Sequence, residues 1–319
     1  MEKTSVVLFN LGGPDSLESV EPFLFNLFSD PDIFNIPFGQ RLFARIVSRK
    51  RAPKVRERYR RIGGNSPINM WTERQREMLE AFLGKEIEGV TVHTAMRYWH
   101  PQIRKVAEEL SAHPCNRIVL LPLYPHYSVT TTGSAFNEWQ RYYSGMASAV
   151  PRVLSYHDHS GYIAAVNERI DEAVERFPVG ARAEIRILFS AHGTPERLVK
   201  KGDPYSNQIH ETVSAVMAAR RFSHRHHICF QSRVGPVRWL TPTTEETIRS
   251  LAADDAKHLL VVPISFVSDH IETLFELDVE YRQVAEAAGI KNYHVMTGLN
   301  DSETFVDALK DIVIETLKD

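Results

Sequence analysis

Two short segments of the chain concentrate residues able to hold and release a metal ion. In the first, SAHGTP at 190–195, the apolar run at 185–189 reads as a buried strand that hands over to a His-Gly turn. Open α/β sheets present their ligand-binding groups at the carboxyl ends of strands, which is where His192 falls. In the second, the apolar run at 259–264 leads into SDHIETLFELD at 268–278, and acids recur at Asp269, Glu272, Glu276 and Glu280. At about 100° per residue, those steps of three and four predict one stripe of carboxylates along a helix. Stacked like charges destabilise a helix, so the stripe points to bound cations, and imidazole with carboxylate suits hard or borderline divalent ions. His270 sits among these acids, where it either orients them or caps the helix. A serine hydrolase built on Ser190 and His192 is disfavoured, because no G-x-S-x-G elbow is present and the two residues share one turn.

Positioning these groups requires sheets. Strand-like runs at 5–9, 90–95, 117–122, 185–189, 227–231 and 257–263 alternate with helical patterns, which predicts an α/β fold of parallel sheets flanked by helices. LFNLGGP at 8–14 echoes LFSAHGTP at 188–195, and IVLLP at 118–122 echoes LLVVP at 259–263. The interval between the paired signatures is about 40 residues longer in the first half, so the sequence reads as a duplicated domain with an insertion in one copy. We expect an N-terminal half at 1–155 carrying an insertion at about 30–66, and a C-terminal half at 156–319. Residues 302–318 predict a closing helix, with Ser302 as its N-cap and apolar residues at helical spacing.

Composition narrows the setting. A chain of 319 residues with 43% hydrophobic and 24% charged residues is that of a globular protein long enough for two domains. No run approaches 18 apolar residues and the N-terminus lacks a signal-peptide pattern, so a cytoplasmic protein is expected. Two cysteines, Cys115 and Cys229, are too few for a disulfide framework or a four-cysteine iron-sulfur cluster. The formal charge of -2 is uneven: residues 41–61 hold ten basic side chains against one acid, Glu57. Interleaved apolar residues, among them Phe38, Leu42, Phe43, Ile46 and Val47, argue against nucleic acid. They predict an interfacial helix at about 33–51 lying on an anionic membrane, with an ordinary core-packing amphipathic helix as the alternative.

The longer motifs carry a resemblance. NLGGPDSLESVEPFLFNLF (10–28), YRRIGGNSPINMWT (59–72), AMRYWHP (95–101), YPHYSVTTTGS (124–134), SAHGTPERLVKKGDPY (190–205), FQSRVGPVRWLTP (230–242) and SDHIETLFELDVEY (268–281) resemble, in order, the ferrochelatases. This family inserts ferrous iron into a porphyrin, and the likeness spans nearly the whole chain. It implies two Rossmann-like, chelatase-like halves with the site in the cleft between them, the closing helix crossing back onto the first half, and a wide-turn distortion in the acidic helix.

It also implies residue roles. His192 and Glu272 become the catalytic pair that contacts iron and accepts pyrrole protons, with Glu276, Glu280 and Asp269 continuing as a route for metal or protons. An unperturbed imidazole, with a pKa of about 6.5, is suited to that task near neutral pH. Leu11, Arg97, Tyr98, Tyr124 and Trp239 are assigned to the porphyrin pocket and Arg51, Tyr59 and Ser66 to its propionates, with His270 nearby. Core packing is the alternative for the three aromatic residues. The expected substrates are ferrous iron and protoporphyrin IX, with no further cofactor, and the basic segment becomes an apolar lip resting on the membrane. Family members acting on coproporphyrin III place tyrosine where this chain has Leu11 and lack most of the lip. A coproporphyrin III enzyme, a cobalt or nickel chelatase for another tetrapyrrole, and a haem or metal carrier stay open as alternatives.

Overall fold

The computed structural model describes residues 3–34, 36–113, 115–145, 150–233, 235 and 237–318. The chain divides into two compact units, one of residues 1–156 with 306–319 and one of residues 157–305.

In the first unit β1 (Thr4–Asn10) is followed by α1 (Val20–Phe28), α2 (Gln40–Arg60), α3 (Ile68–Leu83), β2 (Val90–Met96), α4 (Ile103–Ala112), β3 (Arg117–Pro122) and α5 (Ser134–Tyr142). The sheet is parallel in the order β2-β1-β3. β1 is buried along its whole length, as a central parallel strand covered on both faces must be. The second unit runs α6 (Ser160–Glu175), β4 (Arg186–His192), α7 (Glu196–Lys200), α8 (Tyr205–Ala219), β5 (Arg225–Gln231), α9 (Thr244–Ala253) and β6 (His258–Pro263). A π-helix (Glu272–Glu280), α10 (Tyr281–Ala288) and β7 (Asn292–Val295) follow. Its parallel order, β5-β4-β6-β7, repeats the first sheet with β4 in the place of β1 and adds β7 at the edge. β7, only four residues long, is too short to stand out as a strand in the sequence. The last helix, α11 (Glu303–Thr316), is capped by Ser302, whose Oγ accepts from the Phe305 N–H at 3.2 Å. From Val306 it belongs with the first unit, where Lys310 Nζ lies 3.4 Å from Glu86.

The basic segment is built on α2, a 21-residue helix with Pro53 inside it. Ala44, Ser48, Ala52 and Tyr59 form its buried face, while Arg41, Arg45 and Arg49 point to solvent. Phe38, Leu42 and Ile46 are exposed, at 93%, 63% and 58%. Phe43, expected beside them, instead packs inward against Phe28 and Phe34 at centroid distances of 6.2 and 6.1 Å, because one residue along a helix turns the side chain by roughly 100°.

The start of this insertion is fixed by a buried ion pair. Asp30, its side chain wholly buried, lies 3.0 Å from Arg97 Nη2 and accepts from the Tyr98 and Ser134 hydroxyls, both at 2.6 Å. Arg97 Nε donates to Ser134 Oγ at 2.8 Å, so no charge in the group is left without a partner, which is the condition for burying one.

Candidate active site

The expected residues of the first unit gather at the carboxyl edge of its sheet. Leu11 follows β1, Arg97 and Tyr98 follow β2, and Tyr124 follows β3. The loops are tied together by Arg97 N–H to Asn10 O (2.8 Å), Tyr98 N–H to Leu11 O (3.0 Å) and Leu123 N–H to Phe9 O (2.7 Å). Tyr98 departs from expectation: it is 2% exposed and its hydroxyl is spent on Asp30, so it is a strut within the unit, and burial drives its phenol pKa up. Arg97 is likewise committed to Asp30 and Ser134. Of the three residues assigned to propionates, Tyr59 and Ser66 are buried, while Arg51 keeps a partly open guanidinium 5.6 Å above the Phe28 ring.

In the second unit the geometry is that of a built polar site. His192 ends β4 in register with Gln231 at the end of β5. The next residue must be glycine: a Cβ on Gly193 would lie 2.7 Å from Gln231 O, closer than packing permits, and the Gly193 N–H donates to that same oxygen at 2.8 Å. Trp239 is carried alongside by a backbone bridge to Pro195, with its ring 3.4 Å from the same point.

His192 Nδ1 meets Glu272 Oε2 at 2.8 Å. Ser232 ties in the second acid: its Oγ lies 2.6 Å from Glu276 Oε2 and 3.2 Å from Glu272 Oε2, and its N–H donates to Glu276 Oε1 at 2.9 Å. This hold depends on a left-handed backbone at Ser232, with φ of +64°, a conformation uncommon for a residue with a Cβ. Burial pulls the His192 pKa down, but the charge and hydrogen bond of Glu272, with Glu276 behind, overcome that and raise it. Burial pushes Glu272 up, and the facing His192 charge and hydrogen bond outweigh it and lower its pKa. Glu276 is raised, by burial and then by the negative charge of Glu272. The result is an imidazole made more basic by a carboxylate partner, next to a second acid that holds its proton more tightly.

The acidic helix is a π-helix, and its wider turn replaces the 3.6-residue step. Glu272, Glu276 and Glu280 all lie on it, but Asp269 does not: the helix begins after it, so the expected stripe of four is a stripe of three. Asp269 is instead buried, accepting from Thr273 Oγ1 (2.9 Å), Asn300 Nδ2 (2.7 Å) and the Gly298 N–H (3.2 Å). His270 is also buried, its Nδ1 3.1 Å from Ser268 O and its ring 4.3 Å from that of Phe266, and burial lowers its pKa. Ser232 and Phe266 went unmarked in the sequence reading; FQSRVGP was visible as a motif, but only the left-handed turn shows why its serine is there.

Comparison with known proteins agrees with the geometry. Among solved structures, SirB from Bacillus subtilis with Fe3+ superposes with a TM-score of 0.58 over 98% of this chain and 95% of its own, at 14% identity. CbiX, the terminal enzyme of sirohaem biosynthesis in denitrifying bacteria, gives 0.52 over 98% of both chains. At such low identity these establish the chelatase fold alone. Sequence relatives go further: ferrochelatases of Geobacter metallireducens and Gloeobacter violaceus are 48% and 45% identical, each aligned over at least 98% of both chains. The Synechocystis ferrochelatase is 42% identical, and the chain covers 84% of its length. Since the ferrochelatase family model also matches residues 3–317, the strand-end histidine and its acidic helix belong to a member of the ferrochelatase family, an enzyme that places metal in a porphyrin.

Proposed function

We propose that the chain inserts ferrous iron into protoporphyrin IX, releasing two pyrrole protons and forming protohaem, with no cofactor beyond its substrates. The observation that carries this reading is the His192–Glu272 contact at 2.8 Å with Glu276 held behind it by Ser232. Insertion needs a base for the pyrrole protons and ligands that surrender the ion. A carboxylate-paired imidazole supplies the first, and carboxylates with imidazole supply the second. Glu276 and Glu280 continue along the π-helix as a route for metal or protons. Leu11, Tyr124 and Trp239 contact the macrocycle in this reading. Arg51 holds a propionate, since a guanidinium fork binds a carboxylate through two charge-assisted hydrogen bonds.

Leu11 offers no oxygen to the ring, and exposed apolar side chains at 38–46 suit a porphyrin that partitions into membranes. Catalytic efficiency is therefore expected to be higher for protoporphyrin IX than for coproporphyrin III, read as metalloporphyrin absorbance with ferrous iron under one set of conditions. Arg51→Ala is expected to raise the porphyrin KM by roughly tenfold with a smaller change in kcat. A preference for coproporphyrin III overturns the substrate assignment without touching the metal chemistry.

We further propose that the protein works in the cytoplasm at a membrane surface. No helix among the described residues is long and apolar enough to cross a bilayer. Leu42 and Ile46, one turn apart on α2, and Phe38 in the turn just before it, flanked by Arg41, Arg45 and Arg49, have the pattern of a segment that rests on anionic lipid. Binding to phosphatidylserine vesicles is expected to weaken as salt rises. Serine at Phe38, Leu42 and Ile46 together is expected to release the protein while preserving turnover of detergent-dispersed porphyrin. Unchanged vesicle binding in a pelleting assay counts against the lip.

A further inference from the structure

The imidazole of His192 can be no better placed than its backbone, and that backbone ends a strand. Its N–H donates to Ser265 Oγ at 2.9 Å, and its carbonyl accepts from the Tyr205 hydroxyl at 3.0 Å. The Ser265 and Tyr205 side chains are in turn hydrogen-bonded to each other. The three bonds close a ring: His192 N–H to Ser265, Ser265 to Tyr205, Tyr205 back to the His192 carbonyl. Three separate segments meet in it, namely the end of β4, the turn after β6 and the first residue of α8. Tyr205 is itself anchored, 6% exposed and with its own N–H donating to Asp203 Oδ1 at 3.0 Å. That gives a local reason for the GDPY stretch at 202–205, which the metal chemistry leaves unexplained.

We propose that Tyr205 and Ser265 are positioning residues for insertion: together they clamp both backbone groups of His192 and so fix its ring opposite Glu272. The inference rests on the reading of His192 as the residue that meets iron and pyrrole protons. A loosened clamp leaves substrate binding intact but spoils alignment, and misplacement of a reacting group by about 1 Å can cost up to roughly a hundredfold in rate.

The test compares Tyr205→Phe, Ser265→Ala, the double variant and His192→Ala in steady-state insertion of ferrous iron into protoporphyrin IX, with thermal melting alongside. Tyr205→Phe removes one oxygen and keeps the packed ring. Each single variant is expected to lower kcat roughly tenfold while both KM values stay within about twofold. Because either substitution breaks the same ring, the double variant is expected to fall no more than about twofold below the worse single, and not to the product of the two losses. A kcat for Tyr205→Phe within about twofold of the parent, or multiplicative losses in the double variant, overturns the clamp. A lowered melting temperature with kcat intact, the signature of packing alone, overturns it equally. If Tyr205→Phe does not fold, Ser265→Ala is judged by the same kcat and KM criteria. Near-normal turnover by His192→Ala removes the reading of His192 itself, and the clamp with it. An inactive His192→Ala beside a fully active Tyr205→Phe overturns the clamp alone.

Discussion

Replacing His192 by alanine is expected to lower iron insertion by roughly a hundredfold or more while leaving the fold intact. The side chain is partly open, at 36% exposed, and its polar contact is with Glu272, so truncation removes little packing. What it removes is the strongest base of the site. The Glu272 carboxylate raises the imidazole pKa, and a positioned base of this kind typically contributes two to four orders of magnitude, on the order of 3 to 5 kcal/mol. Glu272→Gln is the companion experiment. Glutamine preserves the shape and a hydrogen-bonding oxygen but not the charge, so the imidazole loses the interaction that raises its pKa and the metal loses an anionic ligand. A loss of about tenfold or more is expected, and less than for His192→Ala. Both are read as the initial rate of metalloporphyrin absorbance, with circular dichroism confirming the fold. Near-normal rates in His192→Ala would remove the histidine from the chemistry. Tolerance at Glu272 with losses confined to Glu276 and Glu280 would move the site one turn along the helix.

What the sequence made legible is what depends on pattern. β1, β3 and β6 hold continuous apolar runs, as strands covered on both faces have no polar side to alternate with. Six of the seven strands among the described residues were legible as strand-like runs, β2 and β5 in spite of polar positions. The repeat was legible because strand ends and their turns have demanding chemistry, and LFNLGGP and LFSAHGTP occupy the same place in the two sheets. His192 could be located from the same rule. Distance along the chain hides the rest. Ser232 reaches both glutamates from a different strand end, 40 and 44 residues away, through a backbone angle that no residue pattern announces. Ser265 and Tyr205 act on His192 through its backbone, a relation invisible to any reading that looks for side-chain chemistry. Phe43 was read with the exposed set and instead packs inward, since direction on a helix depends on one residue of register, while Tyr98 spends its hydroxyl on Asp30, in line with the core-packing alternative.

Asp269→Ala is expected to leave kcat within about threefold of the parent but to lower the melting temperature by about 5 to 10 °C. The chain pattern placed this acid at the head of the carboxylate stripe; the structure places it in a buried knot. Its Oδ1 accepts from Thr273 and from the Gly298 N–H, and its Oδ2 from Asn300. The Asn300 amide answers with its own oxygen, accepting the Asp269 N–H at 2.9 Å, and the Asn300 N–H donates to Val267 O. Gly298 allows the approach, since a Cβ there would meet the Asp269 nitrogen at 2.8 Å. The knot thus ties the segment entering the π-helix to the turn after β7. Removing the carboxylate takes an acceptor from the Gly298 N–H and the Asn300 amide, while the Thr273 hydroxyl keeps the His270 carbonyl at 3.1 Å. A buried donor costs about 1 to 3 kcal/mol when unsatisfied, less whatever water can enter to meet it. About 3 kcal/mol is a reasonable net loss. Glu272 lies beyond Asp269 on the helix proper and is held by His192 and Ser232, so its carboxylate keeps its partners in the variant. The decisive comparison is melting temperature against kcat at a temperature well below the transition. A fall in kcat of about tenfold or more with an unchanged melting temperature would restore Asp269 to the metal route and show that its hydrogen bonds to Thr273 and Asn300 open during turnover.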